Sequence, residues 1–260
     1  MPACLQEVPG IPSVLQAASC RGTQRHAPYV PARERAGIAV DAGQRLQRAR
    51  APSMRRLMRS LHLPLIVHAL KSTDIKSVAP VQRAAAGQVV LAPRNEYNHF
   101  LRQAAVLVVE HTERGSLGVS LDSPTLLTIG EAAKGLLEDS ELAENRLFMG
   151  GEYGGDSATM IHACEDVAGA RRLGGSDLFL GGLADAAKRV NAGINRPEDF
   201  KFFFNFCKWA PGELDDAIAD GRWRALTGVP REVVLDQDPF ADRGKLWRTL
   251  GRAAKRNHRV

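Results

Sequence analysis

Residues 104–121 read AAVLVVEHTERGSLGVSL, and the fold is decided here. Residues 104–110 are a β-branched apolar run too short for a helix and followed by polar residues, which predicts a buried strand. Residues 117–121 predict its hairpin partner across a loop at 111–115, because Gly115 and Gly118 permit a tight bend. Pro124 is expected to close that second strand.

The reading extends outward from the hairpin. Upstream, 88–92 (QVVLA) predicts a short buried strand stopped by Pro93, residues 97–102 a helical turn, and 63–87 a linker with room for a helix. Downstream, Thr128 and Glu131 have the spacing of a capping box, so a helix should run from there to about residue 139. Residues 147–149 enter a glycine-rich loop at 150–155, and 158–163 predict another strand. A short apolar piece at 177–180 precedes a helix at 183–190. An aromatic strand follows at 200–208. Pro211 and Gly221 frame a helix over 212–220. Residues 229–235 read as a last strand and 243–255 as a final helix. Strands and helices alternate irregularly, with no repeat of 20–50 residues, so the class is α+β.

Charge divides the 260 residues into three parts. Residues 1–60 hold ten arginines, no lysine and three acids, a net +7. Residues 241–260 hold seven bases and one acid, a net +6. Because the whole chain carries +6, residues 61–240 carry −7. The basic pI of 9.4 therefore describes the ends, while the body would repel a phosphate backbone. The first 60 residues are rich in Arg, Ala, Ser and Pro and lack the compact apolar stretch of a secretory signal. They read as an organellar transit peptide, or else as a disordered basic tail that stays attached. A chloroplast destination is expected, with the mitochondrion as second choice. The expected division is 1–60 presequence, 61–86 linker, 87–251 a single folded domain and 252–260 a basic tail. No apolar run approaches the roughly 18 residues a membrane span needs.

Three ordered pieces carry a resemblance. They are GQVVLAPRNEYNHFLRQAAVLVVEHTERGSLGVSLDSP (87–124), the Leu147-Phe148-Met149-Gly150-Gly151 segment with its later Ile161-His162, and FKFFFNFCKWAPGELDDAI (200–218). Together they are similar to the YqgE/AlgH family of bacterial proteins with plastid-addressed relatives. The chain departs from the family pattern at Asp122 (usually Asn), Ser123 (often Lys), Glu152 (Pro), Asn205-Phe206 (Gly-Tyr), Glu213 (Gln) and Ala217 (Glu). The resemblance implies a small closed barrel-like mixed β-sheet surrounded by helices. It also brings a label of transcriptional regulator, without a recognisable DNA-binding module or an established reaction.

Candidate site residues are weighed against structural roles. Glu110 and His111 end a strand beside a glycine turn, where an adjacent carboxylate can tune an imidazole, although neighbours on a strand face opposite ways. With Gly115, Gly118, Asp122, Trp209 and Gly212 they form the candidate binding surface. Trp209 reads as a core anchor, with Trp223 packing nearby. His162 and Cys164 lie two apart on one strand face, but a packed Cys beside a hydrogen-bonded His is the commoner arrangement. Residues 150–157 lack the lysine and spacing of a phosphate loop, and Glu152 and Asp156 repel anions. Asp215, Asp216 and Asp220 read as a solvated helix face. No catalytic set, cofactor or metal is expected. The reading is a non-catalytic interaction or regulatory protein with an unknown protein partner, with nucleic acid disfavoured by the acidic body and no membrane partner. The alternatives are an enzyme using the turn between Glu110 and Asp122, and a transcription-related regulator.

Overall fold

The computed structural model describes residues 75–257 apart from 76, 134, 136, 138 and 239–243. The expected presequence at 1–60 lies outside the described residues.

Eleven strands and five short helices alternate along the described chain. The strands are β1 (Ala79–Val81), β2 (Val89–Leu91), β3 (Ala105–Thr112), β4 (Gly115–Ser120), β5 (Pro124–Thr128), β6 (Arg146–Met149), β7 (Tyr153–His162), β8 (Ala170–Arg172), β9 (Phe179–Gly181), β10 (Phe200–Trp209) and β11 (Arg224–Thr227). The helices are α1 (Ile129–Ala132), α2 (Leu183–Asn191), α3 (Glu213–Ala219), α4 (Arg231–Val234) and α5 (Lys245–Asn257). The strands pair in the order β1-β11-β2-β3-β4-β10-β7-β9-β8, with β6 on β10 and β5 on β6. Every pair is antiparallel except β6 with β10. The α+β class holds, but the expected closed barrel does not: the sheet is a curled half-barrel, open between its terminal strands β1 and β8. Each of these is a three-residue edge strand, and the two do not pair with each other. The helices do not surround it either, since α1 and α4 are single turns.

Strand β10 organises the sheet. Phe202–Phe204 pair with β6 along one edge and with β7 along the other, so the chain between Met149 and Tyr153 must cross β10. Gly150 and Gly151 make that crossing. A Cβ on Gly151 would stand 1.8 Å from the Phe206 carbonyl carbon, and one on Gly150 would stand 2.4 Å from the Asn205 oxygen. The glycine-rich segment is therefore a close backbone crossing, and Gly154 and Gly155 lie inside β7 rather than in a loop.

Asn205 bulges β10 at a φ of 60°, a left-handed conformation that Asn tolerates better than other side chains. The extra residue shifts the alternation. Phe200 and Phe202 join the core under α1 and α2 with Met160, Ala186 and Val190. Cys207 and Trp209 join the core under α3 with Val106, Val108, Leu214 and Trp223. Phe148, Phe200, Phe202 and Phe203 are fully buried, each stabilising the fold by about 1.5–3 kcal/mol.

Several local expectations change. Residues 111 and 112 belong to β3, so the hairpin turn is the pair Glu113-Arg114. Pro124 opens β5 instead of closing β4, consistent with proline at the first residue of a strand. The capping box forms, with Thr128 and Glu131 bonding each other's amides at 3.2 and 2.8 Å, but the helix stops at Ala132. Gly135 then takes a φ of 86°. Residues 229–235 are not a strand: Gly228 at a φ of 69° ends β11, and Pro230 precedes the turn α4. Part of the range read as linker is sheet, because β1 pairs with β11. The basic end is helical to Asn257, and Asn257 Nδ2 donates to the Val78 carbonyl at 2.8 Å.

Candidate functional site

A half-open cleft of about 280 Å³ lies where the end of β10, helix α3, the turn at 96–101 and the start of β7 meet. Phe100, Leu101, Trp209, Ala217 and Trp223 contribute its apolar lining, although most of the surface it exposes is polar. Its rim carries Glu96, Glu152 and Glu213 opposite Lys208 and Arg222. The volume falls near the lower end of small-ligand sites, which start at about 300 Å³.

Local sequence sets each wall. Trp209 rests on β4 because Gly118 has no side chain: a Cβ there would meet the indole Cζ3 at 3.2 Å and Val106 Cγ1 at 2.7 Å. Gly115 similarly gives way to the Trp209 carbonyl oxygen, at 2.5 Å from where its Cβ would be. Trp223 meets Trp209 edge-on, with centroids 5.3 Å apart and planes at 89°. Gly212, at a φ of 76°, turns the chain into α3. Glu213 then accepts the Ala210 amide at 2.7 Å. On the opposite wall, Glu96 accepts the Tyr97 amide at 2.9 Å, and Asn98 donates its side-chain amide to Glu152.

His111 lies in a separate cluster. Its Nε2 stands 3.3 Å from the Asp215 carboxylate and its Nδ1 2.8 Å from Ser116 Oγ. With Nε2–H donating to Asp215, Nδ1 accepts the Ser116 hydroxyl, an assignment made from these partners. Asp215 also accepts the Ala84 amide at 3.0 Å. The cluster latches the β3–β4 hairpin to α3 and to the segment before β2. Serine, histidine and aspartate together invite a hydrolase reading. Ser116 is buried, however, which removes its hydroxyl from any substrate. Glu110 stands outside this set of bonds, after a bulge at Val109 whose carbonyl accepts from Arg171 at 3.3 Å.

Asp122 is elsewhere again, buried beyond the end of β4, where it accepts the Gly244 amide at 3.3 Å. It lies near the fully buried Lys201, whose Nζ donates to the carbonyls of Leu121 (2.8 Å), Val234 (3.2 Å) and Asp236 (2.6 Å). The same nitrogen sits 4.1 Å from the Phe148 ring centre. Burial pulls the Lys201 amine down to about 7, against the opposing pull of Asp236 and Asp122.

His162 and Cys164 do not form a dyad. His162 Nδ1 accepts the Cys164 amide at 3.2 Å, and Nε2 donates to the Gly181 carbonyl at 3.1 Å. Burial lowers the imidazole's pKa and so keeps it neutral. The Cys164 thiol is raised by burial and then by Asp199, and burial pushes Cys207 up to about 12. Both thiols are thereby kept protonated and poorly nucleophilic. Among the described residues no group of three or more His, Cys, Asp or Glu side chains could hold a metal.

The AlgH-like family profile matches residues 89–258. The chain belongs to the AlgH-like family. A UPF0301 protein of Streptomyces coelicolor is 31% identical over 174 residues, covering 63% of this chain and 83% of that protein. One from Chlorobaculum parvum is 28% identical over 153 residues, covering 58% and 80%. Among solved structures, protein DIP2367 of Corynebacterium diphtheriae shares the fold at a TM-score of 0.50 and 20% identity, over 63% of this chain and 84% of that one.

Three of this AlgH-like chain's departures from the family pattern, Glu152, Glu213 and Ala217, fall on the cleft, while Asp122, Ser123, Asn205 and Phe206 do not line it. Glu152 supplies one rim carboxylate, Glu213 another, and Ala217 floors the cleft where a glutamate would stand. Of the seven residues read as a surface, Trp209 lines the cleft, Gly118 and Gly115 underlie it, and Gly212 leads into α3. Glu110, His111 and Asp122 do not line it. Sequence reading missed Glu96, Asn98, Tyr153, Lys208 and Arg222. The repeated Glu-Tyr pair at 96–97 and 152–153 was the available signal.

Proposed function

We propose that this AlgH-like chain is a non-catalytic interaction protein that engages a protein partner through the Trp209–Trp223 cleft, and that residues 1–60 direct it to the plastid. The cleft carries the reading: it is a concave site where charged side chains and the edges of aromatic ones meet, the mix found at the polar rim of recognition sites. The other polar groups support it, because His111, His162 and Lys201 are engaged in bonds that hold the fold. Affinity capture from organellar extract with wild-type chain and with Tyr153→Ala, followed by reconstitution from purified components, tests the contact. A partner bound by wild type and about tenfold more weakly by the variant supports it. Equal binding refutes it. Fusing residues 1–60 to a reporter tests the address, and cytosolic retention would remove it.

Helix α5 supplies the observation behind a second reading, a regulator that contacts a polyanion. Lys245, Arg248, Arg252, Lys255 and Arg256 are its exposed positions, spaced along one face. Nucleic-acid binding through them would weaken steeply with salt. Binding that ignores salt, or fails at low salt, removes this alternative.

A further inference from the structure

We infer that the cleft takes a basic side chain, a lysine or arginine presented on an extended segment of the partner; this rests on the cleft being the contact site. The rim carboxylates are the first argument. Glu96, Glu152 and Glu213 accept from the Tyr97 amide, the Asn98 side chain and the Ala210 amide, all neutral donors. Among the described residues, none of the three has a lysine or arginine within 4.0 Å. Of the two bases on the rim, Arg222 already bonds Asp220 at 3.3 Å. Lys208 is the remaining counter-charge, so the rim stays net negative.

The lining is the second argument. The part-exposed Phe100 and Leu101, with the edges of Trp209 and Trp223, give the methylene stem of a long basic side chain a small apolar contact, while its head meets the polar atoms that make up most of the cleft's surface. A neutral apolar ligand would desolvate the glutamates without pairing them, and an acid would face three like charges.

The tyrosines argue for a peptide over a free amine. Tyr97 is 94% exposed and Tyr153 is 57% exposed, and each directly follows a rim glutamate. Residues flanking the basic side chain would cover these rings, whereas a small amine would leave them in water.

The test uses the full-length chain and the peptide acetyl-Gly-Leu-Lys-Leu-Gly-amide. Arginine, norleucine and glutamate replacements at the central position, and n-butylammonium, complete the set. The lysine and arginine peptides should shift the indole N–H resonances of Trp209 and Trp223 saturably and leave Trp247 unmoved. They should bind at least about tenfold more tightly than the norleucine peptide. Glu152→Gln should weaken the lysine peptide about fivefold, and Lys208→Met should tighten it, a gain that general damage to the fold would not produce. Norleucine or glutamate peptides binding as tightly at the same resonances would overturn the charge assignment and leave the contact site intact. Butylammonium matching the lysine peptide would overturn the extended segment. If no peptide moves either indole, the inference falls, and the capture experiment with Tyr153→Ala decides separately whether the contact site falls with it.

Discussion

Replacing Lys201 with methionine tests the reasoning about the interior most severely. In the folded chain burial lowers the ammonium from 10.5 to about 7, so between these values the unfolded chain binds more protons than the folded one. Stability contributed at this site therefore rises with pH through that window and is flat well below 7. The full interval of some 3.5 pH units is worth on the order of 5 kcal/mol, and the part between pH 7 and 8.5 roughly 1–2 kcal/mol. Lys201→Met removes the titrating group and leaves the carbonyls of Leu121, Val234 and Asp236 without their donor. Both proteins keep Cys164 and Cys207, so the opposite slope those thiols produce above pH 9 cancels in the comparison. Urea unfolding at pH 6, 7 and 8.5 is the assay. The wild-type midpoint should climb relative to the variant by roughly 0.5–1 M between pH 7 and 8.5, for an m of about 2 kcal/mol/M. Parallel pH profiles would refute the buried-amine account, whatever the absolute stabilities.

The crossing of β10 predicts that Gly151→Ala abolishes the folded state at 25 °C, because its Cβ has no room beside Phe206, while Gly175→Ala, with nothing within 4 Å, unfolds within about 0.5 kcal/mol of wild type. A soluble Gly151→Ala protein with wild-type circular dichroism and melting would disprove the crossing. His111→Ala and Asp215→Ala should each cost about 1 kcal/mol and couple by about 0.5–1 kcal/mol in a double-mutant cycle, since both groups are partly exposed. Full additivity would show that the latch contributes nothing. Trp209→Ala should destabilise by about 3–5 kcal/mol in chemical denaturation, through a cavity above Gly118; a loss under about 1 kcal/mol would mean that the indole is not the anchor of this core.

Much of the scaffold was legible along the chain, because hydrophobic alternation and caps are local properties. The run at 104–110 could only be a buried strand, the aromatic run at 200–208 another, and Pro211 with Gly221 bracketed α3. Thr128 and Glu131 correctly announced a helix start but not its length, since the backbone already leaves helical geometry at Ala133. Residues 229–235 misled because an apolar β-branched run looks the same in a strand and in a turn packed on the core. Neither the open side of the barrel nor β1 and β8 could be read, since three-residue edge strands carry too little pattern.

By itself the sequence determined an α+β chain with an acidic body between basic ends, the hairpin at its heart, and membership of its family. Tertiary structure alone decided which charged groups meet. Glu96, Glu152 and Glu213 converge on one cleft from three elements distant along the chain, while His111 and Asp122, 11 residues apart, are held by separate partners. The physical reason is that local periodicity sets which face a side chain takes, whereas its neighbours are set by strand order and register. In this fold the bulge at Asn205 and the glycine crossing at 150–151 set much of both.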